Sequence, residues 1–373
     1  MLLIILPLLS LLFWLIVLLL PWQPWRNRYV LEKQVEVQPD HADLSQVTVV
    51  IPARNEAGLL PTTLSGLEAQ GRSLQVILVD DCSSDGTAEV ARQAAGLNLT
   101  VVQGQPLPPG WAGKLWALEQ GVRRVRTRYA LLLDADILLA PGVLEALLRL
   151  ARAERRALVS VMAALPMERF WENLLTPAFI YFFKMLYPFS LANGASPRFA
   201  AAAGGCILLE TRLFDQIGGL ESIRGALIDD CALAAKVKRA GARIWIGQSR
   251  LVTGIRPYTG LRDIWNMVAR SAYTQLGYSP ILLLLCSLIL LILFPIPPLS
   301  LFTGRPEAAA LGLLAWAAMA LSYLPTLIFY RRNPIWALLF PLAGMLYLGM
   351  TWSSALRYYR GQRSRWKERT YQR

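Results

Sequence analysis

A chain of 373 residues with 55% hydrophobic content is too apolar for one ordinary water-soluble domain. Its net charge of +13 could signal nucleic acid, but seven basic residues crowd into positions 357–373 beside an apolar segment. That placement reads as a membrane topology signal and a contact to anionic lipid, so nucleic acid is discounted. The four cysteines, Cys82, Cys206, Cys231 and Cys286, show no Cys-x-x-Cys spacing, which argues against a disulfide framework or a zinc site and fits a reducing compartment. The single histidine, His41, sits in a polar stretch before the first strand, so proton transfer falls to Asp or Glu.

In chain order, residues 2–20 hold nothing more polar than Ser10, carry no Lys or Arg before the apolar run, and are followed by Arg26, Arg28 and Lys33. The reading is an uncleaved anchor over 1–22 with its N-terminus outside, then a proline-bearing linker over 23–46. From Val47 strands and helices alternate. Strands are expected at 48–52, 74–79 and 99–102, with a helix to about residue 70 and another over 88–95, as in a nucleotide-binding α/β half. A Pro/Gly-rich loop over 104–113 leads into a helix bearing Lys114 and a basic run at Arg123, Arg124, Arg126 and Arg128, read as a surface. A strand at 129–133, a helix from Pro141 and a strand at 157–162 follow. Residues 170–189 are apolar and aromatic but interrupted by Glu172, Asn173, Pro177 and Lys184, which fits an interfacial helix or a buried core helix. The small-residue loop 201–205, with Gly204 and Gly205, allows backbone to approach a ligand closely. Asp229-Asp230 opens a helix over 231–240, and a strand spans 243–246.

Two of these strands end in carboxylates: Val76-Ile77-Leu78-Val79 runs into Asp80-Asp81-Cys82-Ser83-Ser84-Asp85-Gly86-Thr87, and 129–133 into Asp134-Ala135-Asp136. Ligands of open α/β sheets collect at such strand ends, so both clusters are expected to face one crevice. Aspartates converging without histidine suggest oxygen ligation of a hard cation, Mg²⁺ or Mn²⁺, that grips a diphosphate. A plainer reading is that Asp85 and Asp136 cap the helices after them. Two clusters at successive strand ends favour the ligand.

The motifs Val50-Ile51-Pro52-Ala53-Arg54-Asn55-Glu56, Val79 to Thr87, Gly113-Lys114-Leu115-Trp116-Ala117-Leu118, Asp134-Ala135-Asp136, Asp229-Asp230 and Trp366-Lys367-Glu368-Arg369-Thr370-Tyr371 together resemble the family 2 glycosyltransferases of GT-A fold. Within them the chain is similar to the membrane-anchored branch of hopene-associated and ceramide-type enzymes. The resemblance implies a GT-A domain over 47–278 in which Pro52, Glu56 and Asp81 frame the nucleoside and Lys114 lies near the nucleotide. Asp134 and Asp136 would hold Mg²⁺ or Mn²⁺ on the diphosphate of a UDP-sugar. Asp230, beside Asp229, would act as the base toward the acceptor hydroxyl, giving inversion. Where many relatives carry Gln/Arg-x-x-Arg-Trp, this chain reads Met267-Val268-Ala269-Arg270-Ser271. That favours transfer of one sugar over polymer synthesis and leaves Arg270 as either a diphosphate contact or a surface arginine. Trp366, Lys367 and Arg369 of the tail could close over the nucleotide.

Three apolar segments follow, at 281–301, 308–330 and 335–356, in a membrane region of 279–356 that precedes the basic tail 357–373. The uninterrupted part of the first stops at Phe294, short of a full crossing, so it is read as re-entrant or interfacial with the tail returning to the cytoplasm. The leading reading is a multi-pass enzyme of the inner membrane, with a cytoplasmic catalytic domain, that glycosylates a lipid, hopanoid or other. A nucleotidyltransferase and a transporter or scaffold with a degenerate nucleotide domain are the alternatives. Asp230 argues against the first, and the absence of acidic residues from the membrane segments argues against the second.

Overall fold

A computed structural model describes residues 1–34, 42–362, 365–366 and 369–370. His41 and Lys367 lie outside the described residues. The chain divides into a sheet unit, Arg28–Pro166, Leu191–Pro257 and Arg365–Arg373, and a helical unit, Met1–Asn27, Met167–Ser190 and Tyr258–Ser364.

The run Val47–Ala53 forms β1, and all seven of its residues are buried. A strand apolar at nearly every position is stable only where both faces of its sheet are covered. Val49 and Ile51 pack on one face with Leu60, Leu64 and Leu147, while Val50 packs on the other with Leu118 and Val122, as the two-residue period of a strand requires. Gly121 of the helix Gly113–Val122 faces β1, and a Cβ there would lie 2.4 Å from Val50 Cγ1. Glycine therefore lets this helix lie close on the sheet.

The other strands are β2 (Gln75–Asp80), β3 (Asn98–Gln103), β4 (Tyr129–Leu133), β5 (Ile137–Leu139), β6 (Leu158–Ala164), β7 (Cys206–Glu210) and β8 (Ile244–Gly254). They form one sheet in the order β3-β2-β1-β4-β7-β6-β8-β5. The first four are parallel; β7 runs antiparallel to both β4 and β6, β6 is parallel to β8, and β5 is antiparallel to β8. The chain builds outward from β1 to β3 and then returns to lay β4 on the other side of β1. That reversal opens a crevice at the carboxyl ends of β1 and β4.

The expected strands at 48–52, 74–79, 99–102, 129–133 and 157–162 all form, and the helix expected from Pro141 starts at Val143. The strand expected over 243–246 continues to Gly254. Two strands of this sheet were not expected from the sequence. β5 has three residues, too few for a periodicity, and β7 earns its place by pairing with the distant β4 and β6.

In the helical unit, Leu2–Leu19, Pro306–Phe329 and Pro334–Tyr359 are long and apolar enough to cross a membrane. Pro280–Leu293 has 14 residues and stops before Phe294-Pro295, followed by the short helix Ile296–Ser300. The unit's core is aromatic: Trp14, Tyr181, Phe294, Tyr323 and Phe340 meet in it, with Tyr323 and Phe340 stacked at 4.1 Å. Its outer face leaves Ile16, Ile281, Leu285, Leu313 and Ile328 exposed, an apolar surface suited to lipid rather than water. Helix Phe170–Leu186 sinks Leu174, Leu175 and Ala178 into the same core. Lys184 is buried there, and its ammonium donates to Asn27 Oδ1 at 2.6 Å, Thr326 Oγ1 at 3.2 Å and Trp25 O at 3.4 Å. Those three acceptors offset the cost of burying its charge.

Candidate active site

The loops after β1 and β2 are laced together. Asn55 and Cys82 adopt left-handed backbone conformations, at φ of 53° and 55°, and Ser84 N donates to Asn55 Oδ1 at 2.9 Å while Asn55 N donates to Ser83 Oγ at 3.0 Å. Asp85 accepts from Ala57 N at 2.9 Å and from Thr87 N at 3.1 Å, so it joins the two loops and bonds the first amide of helix Thr87–Arg92, whose cap position is Gly86. For Asp85 the plainer reading applies. Asp81 is fully buried, its N–H donating to Ala53 O at 2.8 Å. The Arg54 guanidinium donates to Asp81 O and stands 3.7 Å from Asp81 Oδ2.

Three segments fix the backbone of Asp134-Ala135-Asp136. Asp134 N donates to Gly205 O at 3.0 Å, Ile255 N to Asp136 O at 2.9 Å, and Thr63 Oγ1 to Ala135 O at 2.8 Å. Asp136 caps no helix, because β5 follows it directly. Each aspartate side chain meets a cation. Lys114, at the start of helix Gly113–Val122, places Nζ 2.6 Å from Asp134 Oδ1. Arg256, two residues past β8, donates from Nε to Asp136 Oδ2 at 2.8 Å and with its other edge to the buried Glu56 carboxylate.

Asp229 and Asp230 occupy the first turn of helix Asp229–Arg239, where negative charge is favoured, and Asp230 Oδ1 accepts from Cys231 N at 2.7 Å. Lys114, Asp134, Gly204, Asp229 and Asp230 line one pocket, backed by Leu118, Ile207 and Leu233. Gly204 keeps its centre open, since a Cβ there would lie 3.3 Å from Asp230 Oδ2 and 3.4 Å from Lys114 Nζ. Burial, and then the neighbouring Asp229, push the Asp230 carboxyl up to about 7. Burial works against the charge on Lys114, but Asp134 first and then Asp229 outweigh it and hold the ammonium well above its ordinary value. The same balance, with Asp136 and Glu56 as the anions, holds Arg256 protonated.

Of the residues singled out in the sequence, Pro52 (in β1, opposite Val79), Glu56, Asp81, Lys114, Asp134, Asp136, Gly204, Gly205, Asp229 and Asp230 all lie in the sheet unit. Gly205 packs on Ile137. Arg270 is exposed at the end of helix Leu261–Ala269, in the helical unit. Trp366 and Arg369 are paired in backbone register in a two-stranded antiparallel ribbon, Arg365–Trp366 with Arg369–Thr370. Arg54 and Arg256 are site residues that the sequence reading did not select. The signal for Arg256 was the true end of β8, because it is the first cation beyond that strand.

The donor chemistry around Asp134 and Asp136 fits a hard divalent cation. Their side chains are 30% and 26% exposed, so each keeps part of its carboxylate accessible. Mg²⁺ characteristically takes one or two carboxylates and completes its shell with water and substrate phosphates. Among the described residues no group of three or more His, Cys, Asp or Glu side chains gathers as a ready-made metal cage.

Residues 48–218 match the family model described as Glycosyl transferase family 2. A 4,4'-diaponeurosporenoate glycosyltransferase from Staphylococcus haemolyticus is 32% identical over 139 residues, which is 37% of this chain and 36% of that protein. An undecaprenyl-phosphate 4-deoxy-4-formamido-L-arabinose transferase from Aeromonas hydrophila is 33% identical over 102 residues, 26% of this chain and 31% of that one. The chain therefore spans 36% and 31% of the length of these two relatives. Among solved structures, a mannosyltransferase from Pyrobaculum calidifontis in complex with GDP-Man and Mn²⁺ has a TM-score of 0.57 at 20% identity, covering 96% of this chain and 99% of that one. That likeness is one of fold.

Proposed function

We propose that this chain is a membrane-bound hexosyltransferase moving one sugar from a nucleotide-sugar donor to a lipid acceptor, a reading supported by the match of residues 48–218 to the model described as Glycosyl transferase family 2 and by the likeness in fold to a mannosyltransferase. The observation that carries this reading is the meeting of Asp134, Lys114, Gly204 and Asp230 in one pocket at the sheet's switch point. In this reading Pro52, Glu56 and Asp81 hold the nucleoside, with Asp81 accepting from the base imide. Asp134 and Asp136 hold Mg²⁺ or Mn²⁺, which when bound supplies positive charge to the leaving diphosphate. Asp230, from the far wall of the pocket, orients the acceptor hydroxyl and takes its proton as the oxygen attacks the anomeric carbon. Attack from the side opposite the leaving group inverts that carbon. Lys114 and Arg256 keep the crevice from carrying an unbalanced negative charge that would repel the donor.

A lipid acceptor is supported by the apolar outer face of the helical unit and by relatives named for diaponeurosporenoate and undecaprenyl phosphate. The domains follow as an anchor over 1–22, a linker to 46, the catalytic domain over 47–278, membrane segments over 279–356 and the tail, in an inner membrane with catalysis on the cytoplasmic side. The test incubates purified protein with UDP- and GDP-sugars and a membrane lipid extract, including hopanoids, and reads the lipids by mass spectrometry. A new glycolipid with one added hexose, formed from a UDP-sugar and lost in Asp230→Asn, is the expected result. No lipid product from any donor would overturn the reading.

A further inference from the structure

The two carboxylates assigned to the divalent cation are each already held by a cation of the chain: Asp134 by Lys114 and Asp136 by Arg256. Neither cation is sealed in, since their side chains are 17% and 39% exposed. Both arrive on elements separate from the aspartates, Lys114 on the helix Gly113–Val122 and Arg256 on the segment after β8. Arg256 also grips Glu56, which belongs to the loop read as the nucleoside wall. Gly204 adjoins Lys114 Nζ, which a Cβ there would touch at 3.4 Å.

Resting on the reading above, we propose that Lys114 and Arg256 are exchange cations that make metal binding and nucleotide binding depend on each other. Without donor, they neutralise Asp134 and Asp136 and compete with a divalent cation for those oxygens. When the donor diphosphate arrives, its oxygens give both cations a new anionic partner, and the carboxylates are released to the metal. The number of unpaired charges stays small in both states, which matters in a partly buried site. Lys114 supplies a compact point charge on a flexible stem, and Arg256 a planar fork suited to phosphate oxygens. They are positioning residues for the metal and binding residues for the diphosphate.

The experiment measures Mn²⁺ binding to the purified full chain by the electron paramagnetic resonance of free Mn²⁺, with and without UDP or GDP. In the wild type, nucleoside diphosphate should tighten Mn²⁺ binding about tenfold or more, an ordinary coupling. By reciprocity Mn²⁺ must tighten the nucleotide by the same factor. Lys114→Met and Arg256→Met should each bind Mn²⁺ alone about tenfold more tightly than the wild type and lose most of the nucleotide enhancement. Lys114→Arg and Arg256→Lys, which keep the charge, should retain the wild-type pattern. Methionine variants that bind Mn²⁺ alone no more tightly, while keeping the enhancement, would overturn the exchange and leave the glycosyltransferase reading standing. A wild type that binds no Mn²⁺ even with nucleotide would overturn both the metal assignment and the exchange. If a methionine variant fails to fold, as judged by its melting curve, the wild-type measurement still decides: no mutual tightening overturns the proposal.

Discussion

Asp230 is the residue whose chemistry is most constrained by its surroundings. Burial and Asp229 oppose its ionisation and carry its carboxyl to about 7 from an ordinary 3.8. A base of that strength is matched to a hydroxyl acceptor near neutral pH. The rate should therefore rise as pH increases through about 7 and level off above it. Asp230→Asn keeps the shape and the bond from Cys231 N but cannot take a proton. Its turnover should fall about 10²- to 10⁴-fold, with donor affinity by calorimetry nearly unchanged. Substantial residual turnover would move the role to Asp229. Stability should respond in the opposite sense: the folded chain holds this proton to higher pH than the unfolded chain, so ionising Asp230 costs stability as pH rises from about 4 through 7. Asp230→Asn should accordingly melt above the wild type at pH 8, with the gap closing toward pH 4. Asp136→Ala should abolish transfer while the melting temperature changes little, because the side chain is 26% exposed at a strand end rather than part of the core. A normal rate in that variant would remove Asp136 from the site.

At the scale of elements, the site depends on how closely helix Gly113–Val122 lies on β1, since that distance sets where Lys114 reaches. Gly121 is the contact point, 2.4 Å from Val50 Cγ1 and 3.1 Å from Val79 Cγ2 measured from a Cβ placed on it. Gly121→Ala must push the helix off the sheet or distort the two valines, and overpacking of this kind costs about 1–3 kcal/mol. The expected result is a lower melting temperature together with weaker nucleotide binding, as Lys114 moves with its helix. A variant that melts and binds like the wild type would show that the helix position is not set there. β7 contributes differently. Its antiparallel insertion beside β4 brings the loop with Gly204 and Gly205 onto Asp134, through the bond from Asp134 N to Gly205 O.

For the whole molecule, contacts inside the helical unit bear on topology. Asn27, past the first helix, donates to Pro325 O at 2.5 Å, so the first helix and Pro306–Phe329 end at the same side. Both ends of Phe170–Leu186 touch that side: Lys184 reaches Thr326, and Arg332 donates to Met167 O at 2.7 Å. Both ends of that segment therefore lie near the Phe329 end of Pro306–Phe329. Phe340–Tyr359 is tied to it by Tyr347 Oη donating to Leu175 O at 2.9 Å, and to the neighbouring helices by Arg357 to Asn266 and by Tyr273 N to Ser354 Oγ. It is long enough to cross a membrane. Pro280–Leu293 ends beside the middle of the first helix, where Leu293 O accepts from Ser10 and Trp14. The prediction is that Arg331-Arg332 and the basic tail lie on the cytoplasmic side, which the positive-inside bias favours. In a background lacking the four cysteines, Ser364→Cys should resist a membrane-impermeant reagent on intact cells and react after permeabilisation, while Thr303→Cys should react from outside. Labelling of residue 364 from outside would reverse the assignment.

The amino-acid sequence alone determined the parallel core strands, their carboxylate ends and the apolar helices. Each of these is a local signal: four or five β-compatible residues running into turn chemistry, or a long uninterrupted apolar run. Tertiary structure decided which charges meet. Arg256 finds Asp136 across 120 positions and Glu56 across 200, and no periodicity or spacing encodes such a pair. The strands β5 and β7 escaped the sequence reading for the same reason, since a three- or five-residue run becomes a strand through the partners that distant parts of the chain supply. The hydrogen bonds that tie Phe340–Tyr359 to Leu175, Asn266 and Tyr273 are likewise made only in the folded chain, because hydropathy measures whether a helix can enter a bilayer and says nothing of which residues it meets.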